Sequence, residues 1–319
     1  MKKVVTFGEI LLRLSPPSYL RITQATSFDL YYGCAEANVA ASLAKFGLPV
    51  KFITAVPPNE LGESAINMLR SFGVKPIVTT QGKRLGIYYF EQGASERPGK
   101  VVYDREDSSF SLFRKGMIDW EEIFKNAHWF HWSGITPSLS QDLAELCEEA
   151  LIVADRMGLT ISADLNYRPT LWKYGKKANE VMPNLVKYCD VLLGGADETQ
   201  IVLGIDLKEN KTHEEIFSSW MKTFPKLKNI VTTQRIQANA SSNGISASFW
   251  DGKNMLQSQK YNVSHIIDRI GAGDAFMAGI IYGLLTYDDH QTALEFAVSA
   301  ACLKHSISGD INLTTVKEV

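Results

Sequence analysis

Ala35-Glu-Ala-Asn-Val-Ala-Ala-Ser-Leu-Ala-Lys-Phe-Gly47, followed by Phe52-Ile-Thr-Ala-Val56 and Leu61-Gly-Glu-Ser-Ala-Ile-Asn-Met-Leu-Arg-Ser-Phe-Gly73, is the stretch that decides the fold. In its first part Val39, Ala40, Leu43 and Phe46 recur at helical spacing, and Gly47 supplies a C-terminal stop, so a helix is predicted over Ala35 to Phe46. Phe52 to Val56 is a short apolar run that reads as a strand. Leu61 to Phe72 reads as a second helix, stopped by Gly73. Upstream, Val4 to Phe7 ends at Gly8 and reads as a buried first strand. Strand and helix in alternation are the pattern of a parallel sheet covered by helices.

Working outward, the alternation resumes after about residue 128. His128 to Ile135 reads as a strand, Gln141 to Met157 as a helix and Leu159 to Leu165 as a strand. Val191-Leu-Leu leads as a strand into Gly194-Gly195, and His213 to Phe224 is a helix. Asn229 to Thr233 and Ser246 to Trp250 are strands, the latter ending in an Asp-Gly turn; helices over Gly273 to Leu285 and Gln291 to Lys304 close the chain. The stretch 84–113 breaks the pattern. Gly86-Ile-Tyr-Tyr-Phe-Glu91 and Lys100-Val-Val-Tyr-Asp-Arg105 are β-rich and separated by a Gly/Ser/Pro-containing turn, as in a hairpin. The expectation is an α/β fold, one domain over 1–319 with a central, mostly parallel sheet flanked by helices and a small β-sheet lid formed by about 11–32 and 84–113.

Bulk composition limits the functions available. A net charge of -2, with 45% hydrophobic and 21% charged residues, offers no electrostatic argument for nucleic acid or an anionic membrane. Any anionic ligand must be held by local groups. Cys34, Cys147, Cys189 and Cys302 lie far apart, so structural zinc is not expected and reduced thiols in a cytoplasmic protein are the simplest reading. The start Met-Lys-Lys-Val-Val-Thr-Phe-Gly-Glu9 does not read as a signal peptide, and no apolar run approaches the length of a membrane span.

Chemistry concentrates in Asp268-Arg-Ile-Gly-Ala-Gly-Asp274, followed at once by the apolar Ala275 to Leu285. Small residues let the backbone turn tightly at a helix start, whose free N–H groups and dipole form an anion site. Asp274 in that turn repels an anion. It makes chemical sense as a base that takes a proton from a hydroxyl, and it also suits a plain helix start. Polar groups collect at the ends of other strands, where ligands of open α/β sheets sit. They are Asp164, Asn166 and Arg168, then Glu198, then Thr233 and Arg235. Gly33-Cys-Ala-Glu-Ala-Asn38 opens a helix with small residues and an amide, whose null alternative is a solvated helix start. Tyr88, Tyr89, Tyr103 and Arg105 cluster on the lid; alternation places Tyr88 and Tyr89 on opposite faces, so at most one meets a ligand. Arg105 and Arg168 suit bidentate grip of a carboxylate, or pairing with surface acids. The chain lacks a P-loop, an early dinucleotide fingerprint, the protein-kinase motifs and G-x-S-x-G.

These motifs resemble those of PfkB-type (ribokinase-like) carbohydrate kinases along the whole chain. Tyr32-Gly-Cys-Ala-Glu-Ala-Asn-Val-Ala40 is similar to the N-terminal sugar motif and Asp268 to Asp274 to the C-terminal one. Gly8-Glu-Ile-Leu-Leu-Arg-Leu-Ser15, Tyr103-Asp-Arg-Glu-Asp-Ser-Ser-Phe110, Asp164-Leu-Asn-Tyr-Arg-Pro-Thr-Leu-Trp172 and Cys302-Leu-Lys-His-Ser-Ile-Ser-Gly-Asp310 resemble 2-keto-3-deoxygluconate kinases most. The resemblance implies ATP and Mg²⁺ as cofactors and a sugar acid phosphorylated at its terminal hydroxyl. Asp274 would be the base, with the amides of Gly271, Ala272 and Gly273 as the anion hole. Gly33, Cys34, Asn38, Tyr89, Tyr103, Arg105, Asn166 and Arg168 would meet the substrate, with Asn166 also near the phosphates. Glu198 would lie at the metal, and Thr233 and Arg235, with Gly271 and Gly273, at the nucleotide. A homodimer through the lid is also implied. Three passages depart from the family pattern: Gly33-Cys34 replaces Gly-Gly, Gly195-Ala-Asp-Glu198 lacks the usual Asn, and Thr233-Gln-Arg-Ile-Gln237 replaces a Gly-rich nucleotide turn. They leave two alternatives, a fructokinase-like enzyme of neutral ketoses and a catalytically inactive sugar-binding regulator.

Overall fold

The computed structural model describes residues 2–207 and 211–319. In chain order the strands are β1 (Val4–Phe7), β2 (Leu11–Ser15), β3 (Asp29–Gly33), β4 (Val50–Val56), β5 (Lys75–Thr80), β6 (Gly86–Glu91), β7 (Lys100–Asp104), β8 (Trp129–Ser133), β9 (Thr160–Asp164), β10 (Val191–Leu193), β11 (Asn229–Asn239), β12 (Ser242–Trp250), β13 (Met255–Gln257) and β14 (Tyr261–Ser264). The helices are α1 (Ala35–Lys45), α2 (Glu60–Ser71), α3 (Trp120–Phe124), α4 (Ile135–Leu139), α5 (Gln141–Arg156), α6 (Ala178–Val186), α7 (Glu198–Ile201), α8 (His213–Thr223), α9 (Ala272–Thr286) and α10 (His290–Lys304).

Ten strands form one sheet in the order β13-β12-β11-β10-β9-β8-β1-β4-β5, with β14 also paired to β12. From β11 to β5 every pairing is parallel; β12 pairs antiparallel with β11, β13 and β14. Val4 to Phe7 is buried throughout, as a strand covered on both faces requires. Val4, Phe52, Val231 and Phe249 pack with α1, α2, α9 and α10 on one face. Phe7, Phe130, Ile161 and Trp250 pack with α3, α5, α6 and α8 on the other. Helix starts follow their capping residues: Asn59 accepts from the Gly62 amide at 3.1 Å, Ser140 from Leu143 at 3.2 Å and Asp289 from Thr292 at 2.8 Å.

The small sheet has the order β3-β2-β6-β7. β6 and β7 form the antiparallel hairpin expected over 84–113, and β2 pairs antiparallel with β3 and parallel with β6. Burial alternates along β6, with Tyr88 and Phe90 facing the body of the protein, while all of β7 is exposed.

Three readings change. The strand expected to reach Ile135 ends at Ser133, because Gly134 turns the chain directly into α4. The stretch Lys75-Pro-Ile-Val-Thr-Thr80 is an edge strand with a proline at its second residue, which hides its signal. The strand expected over Asn229 to Thr233 runs on to Asn239 and pairs with β12, Arg235 opposite Ile245.

Candidate active site

The carboxyl end of β9, the start of α9 and the inner face of the small sheet enclose a cavity of about 330 Å³. Of the residues expected at a site, Cys34, Asn38, Tyr103, Arg105, Asn166, Arg168, Arg235, Gly271, Gly273 and Asp274 line it. Tyr88, Asp164, Arg269 and Asp310 join them.

The start of α9 is built by Gly271. Its φ of 82° is left-handed, and a Cβ there would fall 1.8 Å from the Asp310 carbonyl oxygen, so only glycine makes this turn. The Ala272 amide makes a long bond of 3.4 Å to the Arg269 carbonyl. The amides of Gly271, Gly273 and Asp274 have no hydrogen-bond partner among the described residues. A Cβ on Gly273 would meet open space. Free amides at the positive end of a fifteen-residue helix suit an anion.

Asp274 sits in this turn with one close partner, the Asn38 amide, which donates to Oδ2 at 2.7 Å. Burial pushes its carboxyl up to about 6; the Asn38 hydrogen bond opposes the shift and Asp310 adds to it. The side chain is therefore ionised at neutral pH yet basic enough to take a proton. Asp164, at the end of β9, is pushed up to about 8 by burial, Asp274 and Glu198. It accepts from the amide of Asn166, whose φ of 41° is left-handed. Non-glycine residues held this way gather at functional sites.

Other expected residues stand elsewhere. Tyr89 does not line the cavity. The pleat turns it to the outer face of the small sheet, 5.9 Å from Phe28, and Tyr88 takes the inner position. Gly33 packs outside the cavity, where a Cβ would come 2.6 Å from Asp310 Oδ2 and 2.7 Å from Asn38 Oδ1. Ala272 and Thr233 are not among the lining residues. Glu198 lies behind the lining, its Oε2 accepting from the Gly195 amide at 2.8 Å and Oε1 from Tyr167 at 3.3 Å. Burial raises it as well. Arg105 faces the cavity but is committed to a buried ion pair with Glu9. Arg168 is exposed and, among the described residues, has no carboxylate partner.

Sequence reasoning gave no role to Asp310, Arg269 and Arg13, and of the pair Tyr88 and Tyr89 it chose the wrong one. Arg13 is 2% exposed, 2.7 Å from Asp268 Oδ2 and 2.8 Å from Asp310 Oδ1, and stacked over the Phe90 ring at 4.6 Å. Burial opposes its charge, but the two aspartates hold it above its ordinary value. Tyr88 donates to the other oxygen of Asp310. An arginine between Leu12 and Leu14 was the available signal for Arg13, and the family-like passage ending in Gly309-Asp310 was the signal for Asp310.

No group of three His, Cys, Asp or Glu side chains suited to a metal occurs among the described residues. No helix is long and apolar enough to cross a membrane, again among the described residues.

The model of the pfkB family of carbohydrate kinases matches residues 1–316. A 2-dehydro-3-deoxygalactonokinase of Haloferax volcanii is 31% identical over 318 residues, 99% of this chain and 95% of that protein. A 2-dehydro-3-deoxygluconokinase of Bacillus subtilis is 25% identical over 317 residues, 98% of this chain and 93% of that protein. The crystal structure of a 2-dehydro-3-deoxygluconokinase from Thermotoga maritima matches with a TM-score of 0.94 at 44% identity, covering 100% of this chain and 98% of that one.

Proposed function

The chain belongs to the pfkB family of carbohydrate kinases, and from that premise we propose that it transfers the γ-phosphoryl group of ATP to the terminal hydroxyl of 2-keto-3-deoxygluconate or a close stereoisomer. The observation that carries this reading is Asp274, half-buried in the cavity wall beside unpaired helix-start amides and ionised at neutral pH. Phosphoryl transfer requires positioning and charge stabilisation more than covalent help. Asp274 accepts the proton of the acceptor hydroxyl, and Asn38 fixes its orientation. The amides of Gly271 and Gly273 receive the developing charge on the phosphoryl oxygens. Asn166 stands at the boundary between sugar and phosphate.

The acid end of the substrate is read by cations. Arg168 is the free guanidinium on this side, and Tyr103 lies beside it in the same lining. Arg105, already neutralised by Glu9, supplies hydrogen bonds rather than net charge. The unpaired Arg168 favours an acid over a neutral ketose, and the placement of Asp274 favours an enzyme over an inactive regulator. Cys34 and Asn38 border the sugar chain.

Mg²⁺ accompanies ATP in this reading. Mg²⁺ is commonly held by one or two carboxylates plus phosphate oxygens and water. Asp164 and Glu198 are the residues that would hold it, since each repels the other's charge until a cation arrives. Held there, the ion would supply charge neutralisation to the transferring phosphoryl group. The small sheet acts as a lid that keeps water from competing with the sugar hydroxyl. Its outer surface exposes Leu30 and Val102, which supports a homodimer through the lid. A small-molecule kinase with four free cysteines fits a reducing cytoplasm.

A coupled ADP-release assay tests the reading with 2-keto-3-deoxygluconate, 2-keto-3-deoxygalactonate and fructose as acceptors. Turnover of either keto-deoxy acid with little on fructose is expected. Turnover of fructose alone would overturn it.

A further inference from the structure

Of two further arginines in the cavity, Arg269 has no role so far and Arg235 has only the nucleotide contact that the family resemblance implies. Arg269 lies inside the turn that leads into α9, and Arg235 lies on β11, in the passage that replaces the family's glycine-rich turn. Their elements are far apart in sequence, yet both side chains line one cavity with Gly271, Gly273 and Asp274. Neither guanidinium is paired with a carboxylate among the described residues. The neighbouring acid Asp268 is engaged by Arg13 at 2.7 Å and by the Gly309 amide at 3.1 Å. The Nη2 of Arg269 is buried and makes no hydrogen bond. The two cations also disfavour each other: burial, then the charge of Arg235, pulls Arg269 below its ordinary value.

A buried N–H without an acceptor costs free energy, and two like charges facing one cavity add to it. Such an arrangement is relieved by a ligand that carries more than one negative charge and several acceptor oxygens. Guanidinium groups suit phosphate above all, through paired N–H···O bonds. The free amides beside them are complementary to the same group.

We infer that Arg269 and Arg235 form a two-armed clamp on the terminal phosphates of the nucleotide, closing from the turn and from β11 on either side of the helix start. This rests on the kinase reading above and extends it to residues that contact the transferring end. The extension of β11 has a purpose in this view: a strand carrying Arg235 does with a side chain what a glycine-rich turn does with its amides.

Titration calorimetry with ATP, AMP and 2-keto-3-deoxygluconate, each in Mg²⁺ buffer, separates the possibilities. In Arg269→Ala the affinity for ATP is expected to fall about 10-fold to 100-fold, as loss of a charge-assisted contact predicts. Affinity for AMP, which lacks the terminal phosphates, and for the sugar acid should stay within about twofold. Arg269→Lys should recover part of the loss. An unchanged affinity for ATP overturns the clamp, as does an equal loss for AMP or a loss confined to the sugar acid. Should Arg269→Ala fail to fold, Arg235→Ala on the exposed strand decides by the same criteria. Wild-type protein that binds ATP through the clamp but releases no ADP with any keto-deoxy acid would count against the substrate reading alone.

Discussion

The two walls of the cavity are charged in different ways. On the side of the small sheet, charges are matched: Arg13 with Asp268 and Asp310, Arg105 with Glu9, and Tyr88 with Asp310. On the side of the main sheet they are not: Arg168, Arg235 and Arg269 lack carboxylate partners among the described residues, and Asp164, Asp274 and Glu198 crowd one another. Matched, buried charges hold architecture. Unmatched ones await a ligand that completes them. Asp310 and Asp274 make the contrast within one residue type. Asp310 is buried with both oxygens occupied by an arginine and a tyrosine, whereas Asp274 is half-buried, has a single amide and faces the open turn. Only the second is available to a substrate proton.

The contrast breaks first at Asp274. Asp274→Asn should fold normally and lose about 10²-fold to 10⁴-fold in turnover, measured by steady-state ADP release. The matched wall predicts the opposite partition. Arg13→Met removes the cation paired directly with two buried aspartates, and stability should drop by about 3–5 kcal/mol in a denaturant titration. A loss below about 1 kcal/mol would mean the cluster is not structural.

The large sheet was legible because its strands and helices carry clean periodicity, as in α1, β4 and α2, and the small sheet was legible as a break in that rhythm. The anion turn declared itself through Gly271 and Gly273 followed by an apolar helix. What stayed hidden depends on distance in the chain. Asp310 reaches the cavity only because the segment after α10 folds back under Gly33 and Gly271, where no side chain fits between. The choice between Tyr88 and Tyr89 hung on strand register, since a shift of one residue exchanges the faces. Thr233 to Gln237 lacked glycine because it is a strand, a conclusion that needs its partner β12.

A smaller effect sharpens substrate choice. Arg168→Ala should raise KM about 10-fold or more for the sugar acid, the scale of one charge-assisted contact, and leave KM for a neutral ketose unchanged. Equal shifts for both would assign Arg168 to the phosphates instead.

The smallest effect concerns stability and pH. Asp164 and Glu36 are raised by burial to about 8 and about 7, against ordinary values of 3.8 and 4.5. The folded protein therefore holds protons that the unfolded chain has lost, and stability falls as pH rises through these folded values. Buried His131, lowered to about 3 from 6.5, acts in the other direction but only below about pH 6.5. From pH 6.5 to 8 the apo protein should lose about 1–2 kcal/mol, and Asp164→Asn should flatten that slope. A stability that rises over the same range would contradict the unmatched wall.

The most direct test is a crystal structure with a non-transferable ATP analogue and 2-keto-3-deoxygluconate bound together. An Asp274 carboxylate oxygen should lie about 2.6–3.2 Å from the terminal hydroxyl of the sugar acid, with the Gly271 and Gly273 amides on the γ-phosphate. Both ligands ordered, with that hydroxyl beyond reach of Asp274 and facing another base, would contradict the account.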